Sequence, residues 1–321
     1  MNVEKRLELV HFQITKSCNL RCWFCGQWGN KGFFSDTKGT PMKYADWEKV
    51  IDTLSNYREI SGISPSIMLW GGEPLISPDF ERIVKQLRSR KFELGIVTNG
   101  VFIDKWADVL RNDFKKIHIS IDGPRDIHDE IRGKGIYDKV IENAKMLIGG
   151  KSDVIVMSVK SDKLSARIDE FADCLEQIQP TELYLQDMIA MNDEETSSYA
   201  NWFKNCFGRE ASDIYSWKNS YIPSNAAFKI PCGHSFEIVQ KRHGISDAFC
   251  LSPFRHAHIA WNGEVMYCTD FYDFSAGNVK ENNLIDIFNN ELSEKFRSEI
   301  KSGSCVTCRH CSWKNDKCFS L

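Results

Sequence analysis

The sequence predicts an α/β fold, a partial (β/α)6 parallel barrel followed by a small cysteine-rich C-terminal domain. Three observations predict it. Short apolar runs alternate with amphipathic helical patterns through the first part of the chain, the rhythm of a parallel sheet with helices outside. Polar and glycine-rich motifs close those runs, at the strand ends where active sites of parallel α/β folds lie. The twelve cysteines of the 321 residues gather near both ends and leave the body nearly bare.

The elements follow in order. Residues 9–14 read as a strand running into a Cys-rich and Gly-rich loop, and 46–57 as a helix. Residues 67–70 form a short buried strand ending in Gly-Gly. Phe80, Ile83, Val84 and Leu87 give 78–90 helical spacing, and 92–97 is the next strand. Helix 103–112, strand 116–121, helix 138–148, strand 154–159, helix 164–177 and strand 182–188 complete six units. Right-handed crossovers curl such a sheet into a full or partial barrel. Residues 1–190 are expected to form it, 191–249 to connect (with a helix at 194–207), and 250–321 to form the second domain. A region so small and polar needs metal as a staple.

Composition narrows the function. A net charge of −3 and pI near 6.3 with scattered Lys and Arg give no reason to expect nucleic-acid binding. The N-terminus lacks an apolar signal region and no stretch spans a membrane, so a cytoplasmic protein is expected. In a reducing compartment cysteines read as metal ligands or catalytic groups rather than disulfides. Cys18, Cys22 and Cys25 form C-x3-C-x2-C directly after the first strand. Three thiolates on one loop can hold three irons of a cubane and leave the fourth open. Zinc, which prefers four closed ligands in structural sites, and three unrelated buried cysteines are the alternatives.

The motif, with Phe24 at its aromatic position, resembles that of the radical S-adenosylmethionine (SAM) superfamily. Trp70-Gly71-Gly72-Glu73-Pro74 resembles the family's GGEP loop. The resemblance implies a 4Fe–4S cluster on Cys18, Cys22 and Cys25 whose unique iron is chelated by SAM, which one electron cleaves to a 5′-deoxyadenosyl radical. It places the SAM ammonium beside Glu73 or its backbone, with Gly71, Gly72 and Pro74 shaping the loop. Two further strand ends, Thr98-Asn99 and Ser120-Asp122, would lie near the SAM ribose and carboxylate. Side-chain alternation puts His118, Ser120 and Asp122 on one face, His118 deepest and toward a substrate or simply in the core. By the same parity Tyr184, Gln186 and Met188 share a face, Met188 against adenine or in ordinary packing.

Cys250 and Cys268, spaced C-x12-G-x4-C around the Asn262-Gly263 turn, resemble the start of the SPASM or twitch auxiliary-cluster extension. The closing run Cys305, Cys308, Cys311, Cys318 departs from the full SPASM pattern. At least one auxiliary 4Fe–4S cluster is expected, on Cys250, Cys268, Cys305 and Cys308. Cys311 and Cys318 are substitutes for these or part of a second cluster with Cys232, and a zinc site is the competitor.

What the resemblance implies is an oxidoreductase or epimerase. It would abstract hydrogen from a C–H of a small polar molecule or short peptide, with a reductant such as flavodoxin or ferredoxin. Maturation of a ribosomally made peptide is the neighbouring reading, and a barrel beginning near residue 9 leaves little room upstream for a leader-binding domain. Cys232, between Pro231 and Gly233, is expected at the barrel mouth as hydrogen-atom donor, cluster ligand or inert thiol. A non-catalytic iron–sulfur carrier or zinc-stabilised binding module is the reading from another class.

Overall fold

Strict alternation gives each central strand two different faces, and the fold uses both. The computed structural model describes residues 4–28, 32, 38–187, 191–211, 231–241, 250–269, 273–305, 307, 308 and 311. The parallel units run β1 (Leu9–Gln13), α1 (Tyr44–Ser61), β2 (Ser66–Trp70), α2 (Phe80–Ser89), β3 (Leu94–Thr98), α3 (Ile103–Asp113) and β4 (Lys116–Ser120). They continue through α4 (Arg125–Arg132), α5 (Ile136–Lys145), β5 (Asp153–Val159), α6 (Asp162–Ser165), α7 (Ile168–Leu175) and β6 (Glu182–Gln186). After α8 (Asp193–Phe207) come β7 (Glu237–Lys241), α9 (Ser252–Arg255), β8 (His256–Ile259), β9 (Glu264–Met266) and β10 (Gly277–Asn278). Two helices, α10 (Leu284–Asn289) and α11 (Glu291–Ser302), close the described chain.

The strands form one sheet in the order β10-β9-β8-β1-β2-β3-β4-β5-β6-β7, parallel from β8 to β7 and antiparallel at β9 and β10. Val10, Phe12, Ile67, Leu69, Ile96, Ile117, Ile119, Val156 and Leu185 point outward into the main apolar core, which Trp47, Ile83, Leu110, Val140 and Phe171 of the surrounding helices complete. Each such side chain fully buried contributes about 1.5–3 kcal/mol. Ile155, Met157 and Tyr184 form a separate small cluster on the other face. That face is buried too. His118 is 0% exposed, and its ring centroid lies 6.4 Å from that of Tyr184, two strands away. A flat sheet would separate those strands by about 9.6 Å. The sheet therefore curls, with its polar inner face enclosed.

Three features were not expected. Residues 125–132 form α4, β7 lies within the stretch read as a connection, and β8 pairs in parallel with β1. The last makes part of the C-terminal region, expected as a second domain, continuous with the barrel sheet. Trp261 ties the two further: its backbone N–H donates to Gln13 Oε1 (3.2 Å), and Lys16 Nζ lies 4.6 Å from its ring centroid.

Candidate active site

The loop after β1 carries Cys18, Cys22 and Cys25, the second buried and the others half-buried. Each sulfur faces a donor. Leu20 N lies 3.4 Å and Asn99 Nδ2 3.8 Å from Cys18 Sγ, Trp28 N 3.4 Å from Cys25 Sγ, and Arg132 Nη1 3.8 Å from Cys22 Sγ. Donors aimed at sulfur suit anionic thiolate ligands, as in iron–sulfur proteins. Burial pushes the Cys18 thiol up to about 11 and raises Cys22 as well, so a metal must displace protons to bind there. Among the described residues no cysteine triad brings its sulfurs all within 4.8 Å of one another. A lone tetrahedral zinc would hold thiolates about 3.8 Å apart. The donor set fits a polynuclear cluster better than a single ion.

Gly71 and Gly72 press this loop from the β2 side. A Cβ on Gly72 would meet Ser17 O at 2.2 Å, and one on Gly71 would meet Thr15 O at 2.4 Å. The close approach that these glycines permit is thus to the chain's own backbone: Gly72 N donates to Thr15 O (2.9 Å) and Glu73 N to Ser17 O (2.8 Å). Gly72→Ala is expected to push the cysteine loop outward at about 1–3 kcal/mol of strain. Iron content after anaerobic reconstitution should fall while far-ultraviolet dichroism is unchanged; full iron loading in the variant would refute the steric coupling.

Glu73 is fully buried and caps the one-turn helix Pro74–Ile76, whose first position suits the fixed φ of Pro74. Its carboxylate accepts from Leu75 N (3.0 Å), Thr98 Oγ1 (2.8 Å) and Asn99 N (2.8 Å). The side chain expected to meet an ammonium group is thus already engaged within the fold. Thr98 and Asn99 are drawn in with it, and Asn99 Nδ2 donates to Asn19 Oδ1 at 2.9 Å.

Asp122 also turns inward. Its Oδ2 accepts from Arg132 Nε (2.6 Å) and its Oδ1 from Val159 N (3.1 Å), while its own N–H donates to His128 Nδ1 (3.2 Å). Asp122 therefore positions Arg132, which reaches Cys22 and lies 5.9 Å from the Phe24 ring centroid. Sequence reading missed Arg132 because α4 has too few apolar residues to register as a helix. It missed the Lys160–Asp187 ion pair as well, at the ends of β5 and β6.

Below the loop, the inner face presents His11, Gln13, Trp70, His118, Ser120, Tyr184 and Gln186. Gln13 Nε2, Trp70 Nε1 and Gln186 Oε1 are buried with no hydrogen-bond partner among the described residues. These groups can bind a polar ligand. Burial lowers the His118 pKa to about 4, so its ring is neutral. Met188 lies outside the described residues.

In the C-terminal region Cys305 is 1% exposed, and Cys250, Cys268 and Cys308 are half-buried against the same apolar core. Cys308 N donates to Cys305 O (3.2 Å), the same tight turn that Cys25 N makes to Cys22 O (3.0 Å). Beneath them α8 contributes Phe203 and Phe207, the latter 5.2 Å from Phe274, and Tyr199 donates to Asp273 (2.7 Å). Cys311 is half-buried, and Cys318 lies outside the described residues.

Cys232 is not at the mouth. It is exposed, in a hollow with Asp169, Asp173 and Glu176 at the end of α7. The reason is topological. Because β7 runs parallel to β6, the residues just before it must lie where strands begin, opposite the cysteine loop. This placement removes the expectation that Cys232 donates hydrogen there.

Comparison with known proteins agrees with this geometry. The Radical SAM superfamily profile matches residues 12–160, and that of SPASM, an iron–sulfur cluster-binding domain, matches 250–312. The cysteine-type anaerobic sulfatase-maturating enzyme of Clostridium novyi is 25% identical, over 96% of this chain and 86% of its own length. The GTP 3′,8-cyclase of Helicobacter pylori is 23% identical over 83% of this chain and 82% of its own. Streptococcus suis SuiB, in its structure with precursor peptide SuiA, has the same fold (TM-score 0.63, 18% identity, 97% of this chain, 72% of that one).

Proposed function

Because the chain is a radical SAM superfamily enzyme with a C-terminal SPASM iron–sulfur domain, we propose that it abstracts a hydrogen atom from a peptide or a short polar molecule held against the inner face of the barrel, with oxidation or epimerisation as the outcome. The observation that carries this reading is the set of three loop sulfurs, each facing a donor, above a buried polar interior. Bound cluster and SAM supply one-electron reduction of a sulfonium and, from it, a carbon radical able to take hydrogen. The chain's own residues do the rest. Cys18, Cys22 and Cys25 would hold the cluster, with Leu20, Asn99, Trp28 and Arg132 donating to their sulfurs. Glu73 and its donors fix the adjoining loop, and Trp70, Gln13, Gln186 and neutral His118 would orient the substrate and exclude water. Ser120 lies at the end of β4 on the same face. Cys250, Cys268, Cys305 and Cys308 would ligate an auxiliary cluster, with Cys311 and Cys318 available beside them.

Support for a peptide comes from the sulfatase-maturating relative and from the SuiB fold; the cyclase relative supports a small polar molecule. A flavodoxin or ferredoxin would deliver the electron. No helix among the described residues is long and apolar enough to cross a membrane. The test is 5′-deoxyadenosine release by the reconstituted protein under dithionite. Wild type should release it, and Cys18→Ala, Cys22→Ala and Cys25→Ala should each fall to the no-protein background. Full activity in any one of them would overturn the ligand assignment.

A further inference from the structure

The inner face carries a second group of metal-ligating side chains, which contains no cysteine and lies outside the function proposed above. His11 on β1 and His258 on β8 are register partners in the parallel ladder, and His256 precedes His258 by two residues, on the same face. We propose that His11, His256 and His258 form a metal site for one divalent first-row transition ion, bound by three imidazoles.

Geometry carries the proposal. The three rings bring ligand nitrogens all within 4.8 Å of one another, the one group of His, Cys, Asp or Glu among the described residues to do so. A tetrahedral ion with bonds of ~2.0–2.1 Å needs ligand nitrogens about 3.3 Å apart, which small side-chain rotations can supply because the ladder already fixes the backbones. His11 and His258 stack with centroids 4.0 Å apart at 14°, so the two rings must tilt apart for their in-plane lone pairs to converge on one ion. The second shell fits as well. Ser252 Oγ donates its single hydrogen to Tyr267 O (2.8 Å) and lies 3.2 Å from His256 Nδ1. Nδ1 of His256 must therefore be the donor in that contact, which leaves the lone pair on Nε2. Such an outer-shell bond is how metal-binding histidines are oriented. His258 Nδ1 is buried with no hydrogen-bond partner among the described residues. Burial holds all three rings neutral, the form that ligates.

The ligand set selects the ion. Imidazoles without thiolate or carboxylate suit zinc, iron, nickel or copper and not magnesium or calcium. Three histidines leave a fourth position open, as in catalytic rather than structural zinc sites. His11 and His258 are buried, and His256 is half-buried, the most accessible of the three.

The experiment uses the full-length, cluster-reconstituted protein, equilibrated with cobalt(II) and desalted. Wild type should retain about one cobalt per chain beyond its iron, with a nitrogen and oxygen first shell and imidazole scattering at the cobalt edge. His258→Gln should lower cobalt retention at least roughly tenfold, since losing even an outer-shell partner costs about 10–100-fold in affinity, while iron content stays the same. His256→Gln, at the more exposed position, should do likewise and serves if His258→Gln does not fold. No retained cobalt, sulfur in its first shell, or undiminished retention in the folded variants would each overturn the site. These readouts do not depend on SAM cleavage, so the proposal and the function above can fail separately.

Discussion

Arg132→Ala is expected to destabilise the protein by about 3–5 kcal/mol, the usual consequence of removing one partner of a buried ion pair. Asp122 is fully buried and the Arg132 side chain 9% exposed, so water cannot replace the guanidinium. The loss has two parts. Asp122 is left with Val159 N as its remaining donor, and Cys22 loses the cation that favours its thiolate. Urea denaturation should therefore report a large loss, and iron loading should fall with it. Asp122→Asn keeps the shape and removes the charge, and the double variant closes a thermodynamic cycle. An interaction energy below about 0.5 kcal/mol would mean that the pair contributes only packing. Lys at 132 cannot serve carboxylate and sulfur from one planar fork and should rescue only part of the loss.

The second large effect concerns Glu73. Glu73→Ala strands Leu75 N, Asn99 N and the Thr98 hydroxyl inside the fold, an expected loss of at least about 3 kcal/mol. Its pH signature has a definite sign. Burial pushes the carboxyl up to about 7 from the 4.5 of an unperturbed glutamate. The folded state thus resists ionisation. The stability associated with this group is full below pH 4.5 and is lost as pH rises through 7, by up to ~3 kcal/mol. Glu73→Gln has no such dependence. Subtracting its denaturation free energies from those of wild type between pH 4.5 and 8 should isolate a falling curve, and a flat difference would show that Glu73 ionises freely in the fold.

Much of this was legible in sequence, for identifiable reasons. The six apolar runs are strands buried on their outer face, and C-x3-C-x2-C and Gly71-Gly72 are local patterns whose spacing carries their meaning. What failed was not local. Helix α4 has Ile127 and His128 as its buried residues, too few to set a helical period, and Arg132 was lost with it. Strand β7 is an edge strand with one residue, Val239, packed on the inner cluster, and without it Cys232 was placed at the wrong end of the barrel. The histidine triad depends on β8 pairing with β1 across some 245 residues of sequence. His-Ala-His shows that two rings share a face, but nothing local names the strand they meet.

The ladder between β1 and β8 also bears on how the protein fails. Were residues 256–278 not folded, β1 would be an open edge, with the backbone donors and acceptors of Leu9 to Phe12 offered to any passing strand. The segment that covers this edge is held by its own apolar side chains, Ile259, Val265 and Tyr267 among them, which are buried in the main core. A chain in which this segment came loose would therefore offer β1 to other copies of itself.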